Sequence, residues 1–242
     1  MDLENKDGFS IIIPTYQEAK NLPDLVKRIA AVNFGNHPFE VILADDNSQD
    51  GTAQMAASLS SGHYPWLKLL TRHGKKRDLS YSIIDGFHAA IYPIVITMDA
   101  DLSHPPEKIP EMLAILADPN VDAVIGSRYI KGGSTDPTWP MIRIFTSRCA
   151  ALIAQTLLFT RAKDPLSGFL AIRQKTLQAG APLRPIGWKI GLEIIIKCDC
   201  KNIREIPIHF SQRRYGTSKL NFKISFDYLH HVVRLMGHKI FG

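Results

Sequence analysis

The stretch Ile94-Val95-Ile96-Thr97-Met98-Asp99-Ala100-Asp101 decides how this chain folds. Its first five residues are apolar or β-branched, the composition of a strand buried on both faces. Two acids, one residue apart, follow at once. Strand patterns recur around it at 9–14, 40–45, 67–72 and 121–126, and helical patterns stand between them at 22–32, 52–60, 81–91 and 106–116. Pro23 and Pro106 sit near helix starts, where a missing N–H costs little. Such alternation builds a doubly wound parallel α/β sheet, in which ligands bind beyond the carboxyl ends of the strands. Asp99 and Asp101 stand at that edge. Two carboxylates so placed repel each other. A hard divalent cation relieves the repulsion, and Mg²⁺ characteristically takes one or two carboxylates plus substrate phosphates. An isolated pair of this kind reads as solvated loop acids, so the surrounding residues carry the decision.

With 242 residues, 45% of them hydrophobic and 21% charged, the chain suits one α/β domain with at most an appendage. Residues 1–7 are polar and acidic, unlike a secretory or transit peptide. No run reaches the ~18 uninterrupted apolar residues of a membrane span. Cys149, Cys198 and Cys200 lack C-x-x-C spacing and fit reduced thiols of a cytosolic compartment. The net charge of +6 is uneven: residues 201–242 hold eight basic and two acidic residues, which is the whole excess. A polyanionic partner follows: nucleic acid, a phosphorylated substrate or an anionic membrane.

Beyond Gly126 the pattern changes to a Gly/Pro/Ser-rich loop at 131–140 and a mostly apolar helix at 141–160 that carries Arg143 and Arg148. Strands are expected at 168–173 and 203–210, with a helix at 189–197 between them. A last helix repeats Phe222, Phe226, Leu229, Val233, Met236 and Ile240 at spacings of four and three. It suits a membrane surface or packing on its own domain, and both readings stay open. His230 and His231 are adjacent and do not share a helix face, so no zinc site is read there. No G-x-G-x-x-G follows the first strand and no G-x-S-x-G occurs, which excludes dehydrogenase and serine-hydrolase readings.

Ser10 to Glu18 is an apolar strand ending in Pro14, then Thr15-Tyr16-Gln17-Glu18; the next strand ends in Ala44-Asp45-Asp46-Asn47-Ser48-Gln49-Asp50-Gly51-Thr52. With Asp99 and Asp101, three strand ends line one crevice, offering an aromatic face, acceptors for a ribose or base, and a metal for a diphosphate. Each residue alone has a plainer reading. Tyr16 is a half-buried aromatic, Glu18 a helix-start acid, and 45–48 an N-cap cluster. Arg128, Arg143, Arg213 and Lys219 are surface charges.

Taken together, the motifs P-T-Y-x-E from Pro14, D-D-N-S-x-D-G-T from Asp45, D-A-D-L-S-H-P-P-E from Asp99, G-S-R-Y from Gly126, S-G-F from Ser167 and R-x-Y-G-x-S-K from Arg213 arrive in one order. In that order the chain resembles the family 2, GT-A-fold glycosyltransferases, and within them the dolichyl- or polyprenyl-phosphate mannose synthases, over residues 9 to about 235. The resemblance implies a GT-A (Rossmann-like), mostly parallel sheet flanked by helices. It divides the chain into a catalytic domain at 1–218 and a C-terminal amphipathic interfacial helix at 219–242. The implied activity is inverting, metal-dependent transfer of mannose from GDP-mannose to a polyprenyl (dolichyl) phosphate, with Mg²⁺ or Mn²⁺ as cofactor and GDP released. The implied location is peripheral, on the cytoplasmic face of a membrane. Many bacterial members continue into transmembrane helices where this chain stops, so the resemblance leaves room for an anchoring segment or subunit outside it.

By the same resemblance Pro14, Tyr16, Glu18, Ala44 and Asp46 line the nucleotide pocket. Asp99, Ala100 and Asp101 hold the metal and sugar diphosphate, and Arg213 and Lys219 bind donor phosphate. Arg128, Arg143 and Ser147 grip the acceptor phosphate; Asp99, Asp101 and Arg128 are the catalytic set. Where many archaeal and bacterial members place a glutamine metal ligand stands Ser103, which weakens the case for a side-chain ligand there. Two further departures are Lys76-Arg77-Asp78-Leu79-Ser80 in place of a Gly-Leu-Gly core, and Leu170 in place of an arginine after S-G-F. Two alternatives remain. The nearer is a polyprenyl-phosphate glucosyltransferase using UDP-glucose, because the named pocket residues do not separate guanine from uracil. The more distant is a non-catalytic nucleotide- or nucleic-acid-binding module using the basic tail, which leaves Asp99 and Asp101 without a purpose; nucleic acid is not an expected partner.

Overall fold

The structure, a computed structural model, describes residues 8–215 and 222–241. Strands β1 (Phe9–Thr15), β2 (Phe39–Asp45), β3 (Leu67–Thr71), β4 (Ile94–Thr97), β5 (Ala123–Ser127), β7 (Leu170–Arg173) and β8 (Ile203–Pro207) form one sheet in the order β3-β2-β1-β4-β7-β5-β8. A small second sheet pairs β6 (Ser134–Thr135) with β9 (His209–Phe210) in parallel. The helices are α1 (Leu22–Ala30), α2 (Thr52–Gly62), α3 (Leu79–Ala89), α4 (Ile109–Leu116), α5 (Met141–Leu158), α6 (Gln174–Ala179), α7 (Ile190–Lys197) and α8 (Phe222–Phe241). The short β6 and α6 were not anticipated.

All seven residues of β1 are buried, as a central strand covered on both faces requires. Its alternation assigns the two cores: Ile11 and Ile13 face one with α1 and α4, whereas Ile12 faces the other with α3, α5, α7 and α8. Asp78 caps α3 by accepting hydrogen bonds from the Ser80 and Tyr81 N–H groups, so this helix starts two residues before the expected 81. Pro106–Lys108 forms a 3₁₀ turn that leads into α4.

The sheet is mostly parallel, as the resemblance implies, and β7 is its one reversed member, antiparallel to both β4 and β5. The chain returning from α5 enters the sheet at its carboxyl edge, and that brings 160–169 to the edge beside Asp99. The strand expected at 203–210 is two strands: the Ile208 N–H makes the last bond to Ser127 O at 3.0 Å, its carbonyl accepts from the Ser134 N–H, and β9 turns away to β6. Helix α5 has 18 residues and is, by length and composition, apolar enough to cross a membrane, with 17% of it buried.

The C-terminal helix packs on its own domain and also leaves an apolar face exposed. His231, Val232 and Leu235 of α8 are fully buried against the domain, while Phe226, Leu229, Val233, Ile240 and Phe241 are exposed. Met141, Ile142, Phe145, Leu152 and Leu157 of α5 are exposed as well. The expected boundary at 218/219 lies outside the described residues.

Candidate active site

The parallel strands deliver their ends to one edge, in the register Pro14↔Ala44, Thr15↔Asp45 and Ile12↔Thr97. Pro14 and Ala44 are buried there, with Tyr16 and Glu18 partly buried beyond β1. A left-handed turn at Gln17 (φ 61°) lets its N–H donate to Ser48 Oγ at 2.8 Å, and the Glu18 N–H donates to Thr52 Oγ1 at 3.0 Å. The β1 and β2 ends are thereby tied together. Burial pushes the Glu18 carboxyl up to about 7, against the hydrogen bond from Asn21, and Asp101 adds to the rise.

Asp46 is held by two donors from the protein itself. Only 6% exposed, it accepts from Arg72 Nη1 and from the Asp78 N–H, one with each carboxylate oxygen. It anchors the loop 73–78, which lays the Arg77 guanidinium over the Tyr16 ring at 4.5 Å from the centroid.

Asp99 and Asp101 follow β4 as expected, but their surroundings differ. Asp99 keeps about a third of its side chain exposed, whereas Asp101 is 4% exposed. Asp101 Oδ1 accepts from the Ser103 N–H and Oγ, and Oδ2 pairs with Arg213 Nε at 2.9 Å. The Ser103 hydroxyl is therefore already committed to Asp101. Asp99 N–H donates to His104 Nδ1 at 3.0 Å, so the neutral ring carries its proton on Nε2. Burial pulls the His104 pKa down, against the pull of Asp99 and Asp101. Ala100 is buried between the two acids. Gly168 closes the site from the other strand: a Cβ there would lie 3.4 Å from Asp99 Oδ1.

The cations complete the site. Arg128 makes a two-pronged pair with Asp164, Nε to Oδ2 and Nη2 to Oδ1, each 2.7 Å. Arg143 and Ser147 lie one turn apart on α5, and Tyr129 donates its hydroxyl to Ser147 Oγ at 2.7 Å. Burial lowers the Arg143 pKa, and Arg213 and Arg128 lower it further, so the three guanidiniums are electrostatic neighbours. Lys219 lies outside the described residues. Asp164, His104, Trp139 and Lys189 belong to this site and were missed. Burial of the Lys189 ammonium brings it down to about 8, with Arg128 next and Asp164 and Asp99 opposing. Only His104 stood inside a quoted motif; Asp164 and Lys189 reach the edge through the reversed β7 and the start of α7, which no local pattern announces.

The arrangement places two oxygen-donor carboxylates beside at least three cations, a geometry for holding phosphate groups around a hard metal ion. Among the described residues no three His, Cys, Asp or Glu side chains converge on one metal position. The donors fit such an ion all the same: Asp99 is free of a cationic partner at hydrogen-bond distance, and both acids are all-oxygen donors.

The profile described as Glycosyl transferase family 2 matches residues 10–180. The chain is 42% identical over 229 residues to the dolichol-phosphate mannosyltransferase of Pyrococcus furiosus, covering 94% of this chain and 63% of that protein. It thus spans under two thirds of that relative's length. The dolichol-phosphate mannosyltransferase of Saccharomyces cerevisiae is 35% identical, with 94% of this chain and 86% of that protein covered. Among solved structures, a mannosyltransferase from Pyrobaculum calidifontis in complex with GDP-Man and Mn²⁺ superposes with a TM-score of 0.66 at 18% identity, covering 99% of this chain and 66% of that one. The shared fold is GT-A.

Proposed function

The chain belongs to glycosyl transferase family 2, and from that premise we propose that it transfers mannose from GDP-mannose to the phosphate of a membrane polyprenol, dolichol or a bacterial equivalent, releasing GDP. One observation carries the reading: Asp99 and Asp101 face a set of guanidiniums, of which Arg143 has no carboxylate partner among the described residues. Two anions must meet in such a reaction, the lipid phosphate and the leaving diphosphate, and the cations keep them from repelling each other. The relatives' names supply the lipid and the sugar.

The chemistry needs little from the protein beyond placement. A sugar hydroxyl acceptor requires a general base. A phosphate monoester has a second pKa of ~6 and is largely dianionic at neutral pH, so no proton-abstracting side chain is required. A single in-line displacement then inverts the anomeric centre. Asp99 and Asp101 would hold Mg²⁺ or Mn²⁺, which neutralises the charge developing on the leaving diphosphate. Arg213, paired with Asp101, brackets that diphosphate, while Arg143 takes the acceptor phosphate through its planar N–H fork and Arg128, with Nε and Nη2 held by Asp164, offers its remaining N–H groups. Ser147 adds a hydroxyl. Pro14, Tyr16, Glu18 and Ala44 form the nucleotide side, with Asp46 acting through the loop it anchors. The exposed apolar faces of α5 and α8 suit a site mouth lying on the cytoplasmic surface of a membrane, where a polyprenyl chain stays in the bilayer.

Calorimetric titration of GDP-mannose, UDP-glucose and UDP-GlcNAc with Mg²⁺ or Mn²⁺ tests the donor. GDP-mannose is expected to bind tightest. A clear preference for a uridine nucleotide overturns the assignment and favours the glucosyltransferase alternative.

A further inference from the structure

The guanidiniums of the site are held in two ways. Arg128 pairs with Asp164 and Arg213 with Asp101. Among the described residues the Arg143 side chain has neither an ion pair nor a hydrogen bond; its Cζ lies 3.5 Å from the centroid of Trp139. Trp139 is 7% exposed and meets Phe210 edge-on at 5.4 Å. Phe210 meets His104 edge-on at 5.1 Å and carries the Arg128 Cζ at 5.4 Å over its ring. One aromatic layer therefore runs from the backbone of Asp99, through His104, to the start of α5.

The position of Trp139 is set without help from Arg143. Its N–H donates to Asp136 O at 3.1 Å, and the Asp136 N–H donates to Phe210 O at 2.9 Å. Among the described residues its own buried indole N–H has no acceptor, so what the ring offers is its face. A ring face attracts a cation through its quadrupole, indole most strongly, and leaves all five guanidinium N–H groups free. A carboxylate would take two of them and cancel the charge. Arg213 and Arg128 act against the Arg143 charge and Asp101 acts for it. The face of Trp139 adds an attraction that fixes where the guanidinium rests.

We infer that Trp139 is the positioning residue of the acceptor-phosphate site, holding Arg143 against its cationic neighbours with its N–H fork open to an incoming phosphate. The inference rests on the reading of Arg143 as an acceptor ligand. Trp139→Leu should raise the KM for a short-chain polyprenyl phosphate about tenfold, with donor affinity unchanged; Trp139→Phe, which keeps a weaker ring face, should restore most of the loss. In an Arg143→Ala background, Trp139→Leu should add little, because both changes remove one interaction. Should the leucine variant fold poorly, the intact enzyme supplies a second measurement. Adding the short-chain polyprenyl phosphate should change indole emission in the native protein, and that change should be absent from Trp139→Phe and Arg143→Ala. An effect of Trp139→Leu that adds fully to Arg143→Ala, equal losses in donor affinity and transfer, or the same emission change in Trp139→Phe overturns the inference. If Arg143→Ala impairs the acceptor step and Trp139→Leu does not, the inference alone falls. If Arg143→Ala leaves the acceptor KM intact, the acceptor reading falls and takes the inference with it.

Discussion

Asp101 serves two partners at once, orienting Arg213 through Oδ2 and accepting from Ser103 through Oδ1. Asp101→Ala should abolish transfer and weaken metal-dependent donor binding, because it removes an oxygen ligand and frees Arg213 together. The melting temperature should fall modestly, because the buried Ser103 N–H and hydroxyl lose their acceptor, while Arg213, 38% exposed, can be solvated. Near-normal turnover of a soluble Asp101→Ala enzyme with Mg²⁺ or Mn²⁺ would reject the metal-centred reading. Arg143 makes the complementary case. A charge-assisted hydrogen bond to phosphate contributes roughly 1.5–3 kcal/mol, so Arg143→Ala should slow transfer by about ten- to a hundredfold while sparing donor affinity. Arg143→Lys should recover only part, because a point charge cannot reproduce the fork. Transfer to a short-chain polyprenyl phosphate and GDP-mannose affinity, measured on each variant, decide it; parallel losses in both would move Arg143 to the donor side.

The elements carry the site by how closely they approach one another. Helix α3 lies on β1 at Gly86, where an added Cβ would sit 2.3 Å from Ile12 Cγ2. Ile12 is fully buried and has no room to give way. Gly86→Ala should therefore cost about 1–3 kcal/mol as overpacking, read as a lower urea midpoint with unchanged donor affinity of the folded fraction. An unchanged midpoint would mean that α3 can slide, and the loop 73–78 with it. Strand β7 matters in a different way. By running antiparallel it carries Gly168 to Asp99 and brings Asp164 to Arg128, contacts that a parallel strand in its place would send to the opposite edge.

At the scale of the molecule, α8 is bound to the domain through Glu193 of α7. This fully buried carboxylate meets His231 Nε2 at 3.1 Å, Lys197 Nζ at 2.6 Å and the Arg184 N–H at 2.6 Å. Burial works to raise its pKa, but the hydrogen bonds from His231, Lys197 and Arg184 outweigh burial and hold it at about 2. A carboxyl with a depressed folded pKa stabilises the fold above its unfolded value and loses that contribution as pH falls through the folded one. Stability should therefore decline between pH 4.5 and about 2, by on the order of 3 kcal/mol from this group. Glu193→Gln should flatten that part of the profile in denaturant titrations, at the cost of lower stability at neutral pH. An identical acid limb in the variant would remove Glu193 from the account.

Much of this was legible in local order. The apolar runs that end in Pro14, Asp45 and Asp99 announced buried strands with polar ends, and parallel pairing of β1, β2 and β4 converts that pattern into one edge. Both terminal amphipathic faces were visible for the same reason, since helical periodicity is written every three or four residues. Pairing direction is not a local property, so β7 read as a further strand without a direction, and Asp164 and Lys189 had no reason to be counted. Nor does a motif say which of its atoms are already committed. Asp46 belongs to one but gives both oxygens to Arg72 and Asp78, and Ser103 stands at a ligand position with its hydroxyl held by Asp101. The existence of the main strands and the chemistry of their ends were in the sequence, because both follow from short-range composition. Which charges meet, and which guanidinium rests on a ring with its fork left open, was decided only by tertiary structure, because those contacts join residues far apart in the chain.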